Sequence, residues 1–455
     1  MSDSSTIRLP VSEIQSRFKA MVEQALDYAK TLGASDAVAE VSESSGQSVA
    51  VRHQEIDTME QTRDRGLSIT VYAGQRRGSA STSDFSTRAI EETVAAAWHI
   101  ARYTAEDEAA LLPDKALLAT EFPDLDLYHP WELTADEAVA LAREAEHAAL
   151  EESEQITNSD GAEIDTYQGH FVLGNTAGFL AGYPYSRHSL SVAPIAGKGE
   201  AMQRDYWYTV ARASQSLEKA QQVGQYAAQR ALSRLGARRI ATGRYPVLFE
   251  APLALGLVGA LVRATSGGAL YRGASFLLDS LGQEVLASHL HLLEDPFVAQ
   301  GLGSSIFDAE GVRTQRRNVV EAGRLQGYFL SSYTARKLGM TTTGNAGGSH
   351  NLILSSDHTV ASDNLSAMLQ KMGTGLLVTE LIGQGINYVT GDYSRGAFGY
   401  WVENGEIVHP VEEITIAGNL RDMFKQIVAV GADTLNRGGT TSGSVLIEQM
   451  AVAGQ

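Results

Sequence analysis

The chain contains no cysteine. That excludes disulfides, a thiolate nucleophile and sulfur ligands for zinc. Positive charge is also scarce: 36 lysines and arginines stand against 54 aspartates and glutamates, for a formal net charge of −18. A protein that binds DNA through its phosphates needs a basic face, because counterion release supplies much of that affinity. The dense basic clusters, residues 234–244 and 313–324, are local, so no nucleic-acid partner is expected. Long apolar runs are missing too. The longest, residues 251–262, is too short to span a bilayer, and no membrane partner is expected. The opening MSDSSTIRLP has neither a basic start nor an apolar core. It gives no secretory signal, and a cytoplasmic protein is the expectation.

What is present suffices for full-sized cores: 455 residues, 44% of them hydrophobic, allow two larger domains or about three smaller ones. Residues 11–32 place Ile14, Phe18, Met21, Val22, Ala25 and Ala29 at helical spacing, behind a Ser12–Gln15 capping box. The period then drops to two. Residues 37–44, 48–53, 67–73 and 76–82 read as strands, the last two as a hairpin around Gly74. Helices follow at 86–103 and, from a Thr134–Glu137 capping box, at 134–151. Strands return at 156–167, 169–174, 179–183, 189–195 and 202–212, before a helix at 215–235. Strand blocks alternating with single helices predict an α+β fold rather than a doubly wound parallel sheet. The boundary is placed in the basic linker 236–243. This gives an N-terminal α+β domain, residues 1–240, of mostly antiparallel sheet with long helices, and a β-rich C-terminal domain, residues 241–455.

The second half reads as a mainly antiparallel, curved or barrel-like sheet. Its strand candidates are 284–293, 316–321, 324–330, 351–356, 376–382, 399–403, 406–408 and 444–452, with tight turns at 321–323 and Asn404-Gly405. Short helices are expected at 333–338, 365–372 and 420–427. Its centre is residues 244–276, a strand running straight into a helix at 252–265. Pro252 suits the first helical position and Gly267-Gly268 the far end. Arg263 is the only charge on this helix, so burial is expected, while Gly256 and Gly259 leave one flank open to a close backbone approach.

Several constellations carry chemistry and a plainer alternative together. His289-x-His291, followed by Glu294-Asp295, would share a face on a strand and reach one metal ion; otherwise the pair is solvated and Glu294-Asp295-Pro296 is a turn. The glycine-rich stretch 343–350, TGNAGGSH, lacks the Lys-Ser/Thr of a phosphate loop. Asn345, Gly347 and Gly348 either border a substrate cleft or form a connecting turn. Residues 391–396 either present Tyr393 and Arg395 on a loop for a peptide carboxylate or form a solvated hairpin tip.

The stretches Gly273-Ala274-Ser275-Phe276, Phe307-Asp308-Ala309-Glu310-Gly311, Thr334-Ala335-Arg336-Lys337-Leu338-Gly339, Thr343-Gly344-Asn345-Ala346-Gly347 and Thr390-Gly391-Asp392-Tyr393 resemble, in order and spacing, the TldD/PmbA family. These are paired bacterial proteins described as metallopeptidase subunits and once called modulators of DNA gyrase. In the TldD-type subunit the central helix carries His-Glu-x-x-x-His, two zinc ligands with a general base. Aligned on residues 273–276, that motif falls on about residues 258–263, where no histidine or glutamate stands. The chain therefore resembles the PmbA (TldE-type) subunit. The resemblance implies a hetero-oligomer with a TldD-type partner that supplies the zinc, no metal or catalytic residue in this chain, and self-dimerisation when isolated. It also implies an unfolded or extended peptide as substrate, and places Arg263 in the vacant pocket. Two other readings stand beside it: a regulatory peptide- or protein-binding protein without a peptidase role, and an autonomous enzyme built on His289 and His291.

Overall fold

In the computed structural model, which describes residues 10–454, the chain forms three sheets with nine helices laid against them. The opening residues 1–9, on which the reading of the amino terminus rests, lie outside those described. Helix α1 (Val11–Thr31) buries Phe18, Val22, Ala25, Leu26 and Ala29, the stripe its spacing predicts. Its start differs from expectation. Pro10 takes the N-cap position, so the helix begins before Ser12 and no side chain caps it. Gln15 instead donates Nε2 to the Phe171 carbonyl, 3.4 Å away.

Strands β1 (Asp36–Arg52), β2 (Glu55–Ala73) and β3 (Arg76–Thr82) follow, then α2 (Thr87–Tyr103). The polar residues 45–47, read as a break, lie inside β1 because strands on both sides hydrogen-bond through them. Only glycine fits the middle position: a Cβ on Gly46 would stand 3.1 Å from both the Thr166 carbonyl and Thr62 Oγ1. Residues 55–66, which show no alternation, become the exposed outer half of β2 through the same pairing with β1. Next come α3 (Ala135–Glu151), opened by the expected Thr134–Glu137 capping box, β4 (Ile156–Asn175), β5 (Leu180–Ala181), β6 (Pro184–Ala196), β7 (Gln203–Arg204), β8 (Trp207–Ala211) and α4 (Ala220–Ser233). Together they complete one antiparallel sheet, in the order β3-β2-β1-β4-β6-β7, with β5 on β4 and β8 on β6.

Alternation along β1 divides the labour of this sheet. Ala37, Ala39 and Val41 pack under α1 and α2, while Val49 and Val51 pack on the same face under α3 and α4. Glu40 and Ser42 point the other way, toward the C-terminal half. Helices α3 and α4 meet at backbone distance, since a Cβ on Gly224 would come 2.1 Å from the Ala145 carbonyl. Gly224→Ala is therefore expected to destabilise the fold by about 1–3 kcal/mol. The check is an earlier denaturant midpoint with native helical circular dichroism retained.

The second half contains β9 (Gly243–Phe249), α5 (Ala251–Ala264), α6 (Gly267–Tyr271), β10 (Leu290–Asp295), β11 (Arg317–Glu321), β12 (Arg324–Leu325), α7 (Ser332–Lys337), β13 (Asn351–Ser356) and α8 (Leu365–Met372). It continues with β14 (Gly375–Ile382), β15 (Asp392–Glu403), β16 (Glu406–Asn419), α9 (Leu420–Lys425), β17 (Ile427–Val430), β18 (Leu435–Asn436), β19 (Thr440–Ser442) and β20 (Val445–Ala453). One sheet runs β12-β11-β10-β13-β19-β18. The other runs β16-β15-β14-β9-β20-β17, and β16 pairs back onto β20 to close a five-strand barrel. Parallel pairing is confined to β9 with β14 and β13 with β19. This is the α+β architecture and barrel-like second half that the strand pattern predicts.

The expected buried central helix is α5. Ala254, Leu257, Val258, Ala260, Leu261 and Ala264 share a core with Val247 and Phe249 of β9. Its flank along Gly256, Gly259 and Arg263 faces outward, and nothing lies within 4 Å of a Cβ built on either glycine. The close backbone approach anticipated there is not made within this chain.

Three contacts lock the halves together. Leu173, Phe179 and Ala181 pack on Ile306 and Phe307, with the Phe179 and Phe307 rings 4.9 Å apart. On α7, Arg336 donates to the carbonyls of Ala109, Leu111 and Leu112, while Lys337 Nζ and Tyr333 Oη meet the Asp107 carboxylate at 2.7 and 2.8 Å. The third is a buried ion network between α4 and the barrel. Arg230 pairs with Glu250 at 2.8 Å and with Asp205 at 3.3 Å, and Arg234 pairs with Asp205 at 3.4 Å and with Glu380 at 2.6 Å.

Candidate functional site

Strand alternation sends Leu290, Leu292 and Glu294 of β10 inward. A carboxylate in that position has to be paired. Arg317 Nε donates to Oε2 at 2.8 Å, and Asn345 Nδ2 and the His350 amide donate to Oε1 at 2.7 and 2.9 Å. The Nδ1–H of His350 adds a fourth bond at 3.0 Å. Burial alone would raise the Glu294 pKa, but the His350 hydrogen bond and the Arg317 charge outweigh it and bring it to about 2. An ionised Glu294 thus pins both ends of the glycine loop to β10. Between those ends Gly347 (φ 100°) and Gly348 (φ 128°) use backbone angles that disfavour other residues.

The loop borders a cleft between the two halves of the molecule. Residues 346–350 form one wall of a cavity of about 450 Å³, with residues 302–309 beside them. Glu40, Phe171, Tyr183 and Arg212 face it from the N-terminal half. Asp308 ties the two C-terminal loops together: its carboxylate accepts the amides of Glu310 and Val312 at 2.9 Å and of Ala346 at 3.0 Å. Burial nonetheless pushes its pKa up to about 6.

The other residues singled out in the sequence are dispersed. Asn345 is buried and turned to Glu294, while Gly347 and Gly348 are exposed at the cleft rim. Tyr393 and Arg395 stand on β15 rather than on a loop, because the residues expected to form a tip continue the β14 and β16 ladders. Tyr393 is only 3% exposed; its hydroxyl has no hydrogen-bond partner, and burial pushes its pKa up to about 12. Arg263 is exposed on the open flank of α5, its guanidinium 4.4 Å from the centre of the Tyr388 ring. His289 lies just before β10, uses both ring nitrogens on Ser356 Oγ and the Ile427 carbonyl, and stacks on His358. His291 turns instead to Asp357, 3.1 Å away. The two imidazoles have separate partners and do not converge.

Three family models match the chain in succession: PmbA/TldA metallopeptidase domain 1 at residues 37–101, the central domain at 128–235 and the C-terminal domain at 242–454. The chain belongs to the PmbA/TldD family. Metalloprotease PmbA of Escherichia coli O157:H7 is 48% identical over 450 residues, 98% of each chain. A Metalloprotease PmbA homolog of Haemophilus influenzae is 46% identical over 100% of this chain and 99% of its own. The solved structure of a modulator of DNA gyrase from Bacteroides thetaiotaomicron superposes with a TM-score of 0.90 at 29% identity, over 96% of this chain and 99% of that one. TldE from Thermococcus kodakarensis shares the fold, with a TM-score of 0.83 at 20% identity over 95% and 100%.

Two of the PmbA/TldD family segments build a single sheet, since β1 of the first pairs with β4 of the second. The family description implies a metal ion, and the residues present do not fit one. Val258, Gly259, Ala260, Leu261, Val262 and Arg263 offer no imidazole, carboxylate or thiolate, and a cationic side chain ends the row. Among the described residues no group of three or more His, Asp or Glu side chains is placed to hold an ion. Nor is any described helix long and apolar enough to cross a membrane.

Glu294 and Arg212 were not singled out in the sequence. The signal for Glu294 was a carboxylate at an inward position of the alternating run Leu290-His291-Leu292-Leu293-Glu294. For Arg212 there was none, because its partners lie across the domain junction.

Proposed function

We propose that this chain is the PmbA/TldE-type subunit of a two-component cytoplasmic metalloprotease that acts on unfolded or extended peptides. The observation that carries the reading is α5, a well-packed helix whose outward flank holds Gly256, Gly259 and Arg263 in place of metal ligands. In this division of labour a TldD-type partner supplies zinc and the general base. This chain walls a shared chamber with the α5 flank and the Asn345–Gly347–Gly348 loop, and Arg263, steadied over Tyr388, supplies a fixed positive charge for peptide carboxylates. Extended peptide is held by strand addition, which reads backbone and tolerates many sequences. The outer edge of β2 over residues 55–66, beyond its pairing with β3, is an unpaired strand edge of that kind.

Co-expression with a TldD-type chain tests the proposal. A stable complex should copurify, and zinc-dependent cleavage of unfolded peptides should require both chains. Failure to associate, with recovery of gyrase or another regulator instead, would favour a non-catalytic binding role.

A further inference from the structure

The cleft between the two halves has unmet charges that neither the family fold nor the proposed chamber uses. We propose that it binds a zwitterionic amino-acid unit with an apolar side chain, either a free amino acid or a short dipeptide. Its volume, about 450 Å³, falls within the range of small-ligand pockets. Arg212 is 8% exposed, and its guanidinium donates to the carbonyls of Ser186 at 3.1 Å, Gly301 at 3.2 Å and Leu302 at 3.0 Å. Among the described residues no carboxylate pairs with it. A buried cation held only by neutral dipoles favours an anion in the adjoining space.

Glu40 faces the same cavity with the opposite charge. Its carboxylate is half-buried and accepts no hydrogen bond among the described residues. The two charges do not meet each other, so a ligand with an ammonium and a carboxylate group satisfies both. On the loop wall the amides of Gly347 and Ser349 donate to no acceptor among the described residues, which leaves them free for a carboxylate. Phe171, Leu173 and Phe307 supply apolar surface for the side chain. A phosphate would be repelled by Glu40 and Asp308, and a divalent cation by Arg212.

Calorimetric titration of the full chain with L-leucine, Leu-Leu, N-acetyl-Leu-Leu and Leu-Leu-amide tests the site. Saturable binding of leucine alone assigns it to free amino acids, and of Leu-Leu to a dipeptide; either supports the proposal. Each cap on Leu-Leu, or N-acetylation of leucine, should weaken binding at least about tenfold. Glu40→Gln removes a carboxyl that makes no hydrogen bond, so it should fold normally and lose the discrimination against the N-acetyl form. Arg212→Gln should lose discrimination against the amide. Because Arg212 also grips residues 301–302, its thermal midpoint is measured alongside, and Glu40→Gln decides the matter if that variant does not fold. Absence of saturable binding by both zwitterions, or binding indifferent to the caps and to Glu40→Gln, would overturn the assignment.

Discussion

Glu294→Gln is expected to cost the fold about 3–5 kcal/mol, the usual penalty for breaking a buried pair by removing one partner. The amide leaves Arg317 without a counter-charge and puts N–H groups where His350 and Asn345 need an acceptor. The pH dependence gives an independent estimate. The folded pKa of Glu294, about 2, lies below the unfolded value of about 4.3, so its contribution is fully present above about pH 4.3 and is lost as pH falls through about 2. That difference corresponds to about 3 kcal/mol, in agreement with the first figure. Asp308 works in the opposite sense. Its folded value of about 6 is raised, so its stabilising contribution is present below about pH 4 and lost as pH rises through 6. Acid denaturation should separate the two windows: Glu294→Gln abolishes the loss below pH 4.3 and leaves the slope between pH 4 and 6. Limited proteolysis should then cut within residues 345–350, where the native loop resists.

The second large effect is expected at the junction of α4 with the barrel. Asp205→Ala leaves Arg230 with Glu250 alone and Arg234 with Glu380 alone, both guanidinium groups remaining largely buried. A cost of about 3–5 kcal/mol follows from the uncompensated charge. Burial works to lower the Arg230 pKa, but attraction to Glu250 and Asp205 outweighs it and holds it up, so deprotonation offers no relief. Hydrogen exchange should localise the damage. Protection is expected to fall across α4 and the start of β9, and to persist in α1 and α2, which belong to a separate core. Equal loss in both places would show that the network does not act as a local clamp.

Local signals were legible wherever the chain itself decides the outcome. The same capping pattern was read twice. It formed at Thr134–Glu137 and not at Ser12–Gln15, because Pro10 starts the helix early. Alternation found the two apolar halves of β1 but not the polar bridge at residues 45–47, which is strand only because β2 and β4 flank it. Tyr393 and Arg395 were read as a tip for the same reason: β15 is longer than its apolar core, and its neighbours extend it. The cleft was legible only in part. The glycine loop announced itself by composition, whereas the group that fixes it, Glu294, meets Asn345 and His350 across 51 and 56 residues of chain. No local pattern encodes such a convergence.

The central claim is that this polypeptide does not complete a metal site of its own. Elemental analysis of the isolated, partner-free chain, together with a peptide-cleavage assay on the same preparation, tests it most directly. The account predicts substoichiometric zinc and no chelator-sensitive cleavage. One equivalent of tightly bound zinc with cleavage that a chelator abolishes would contradict it.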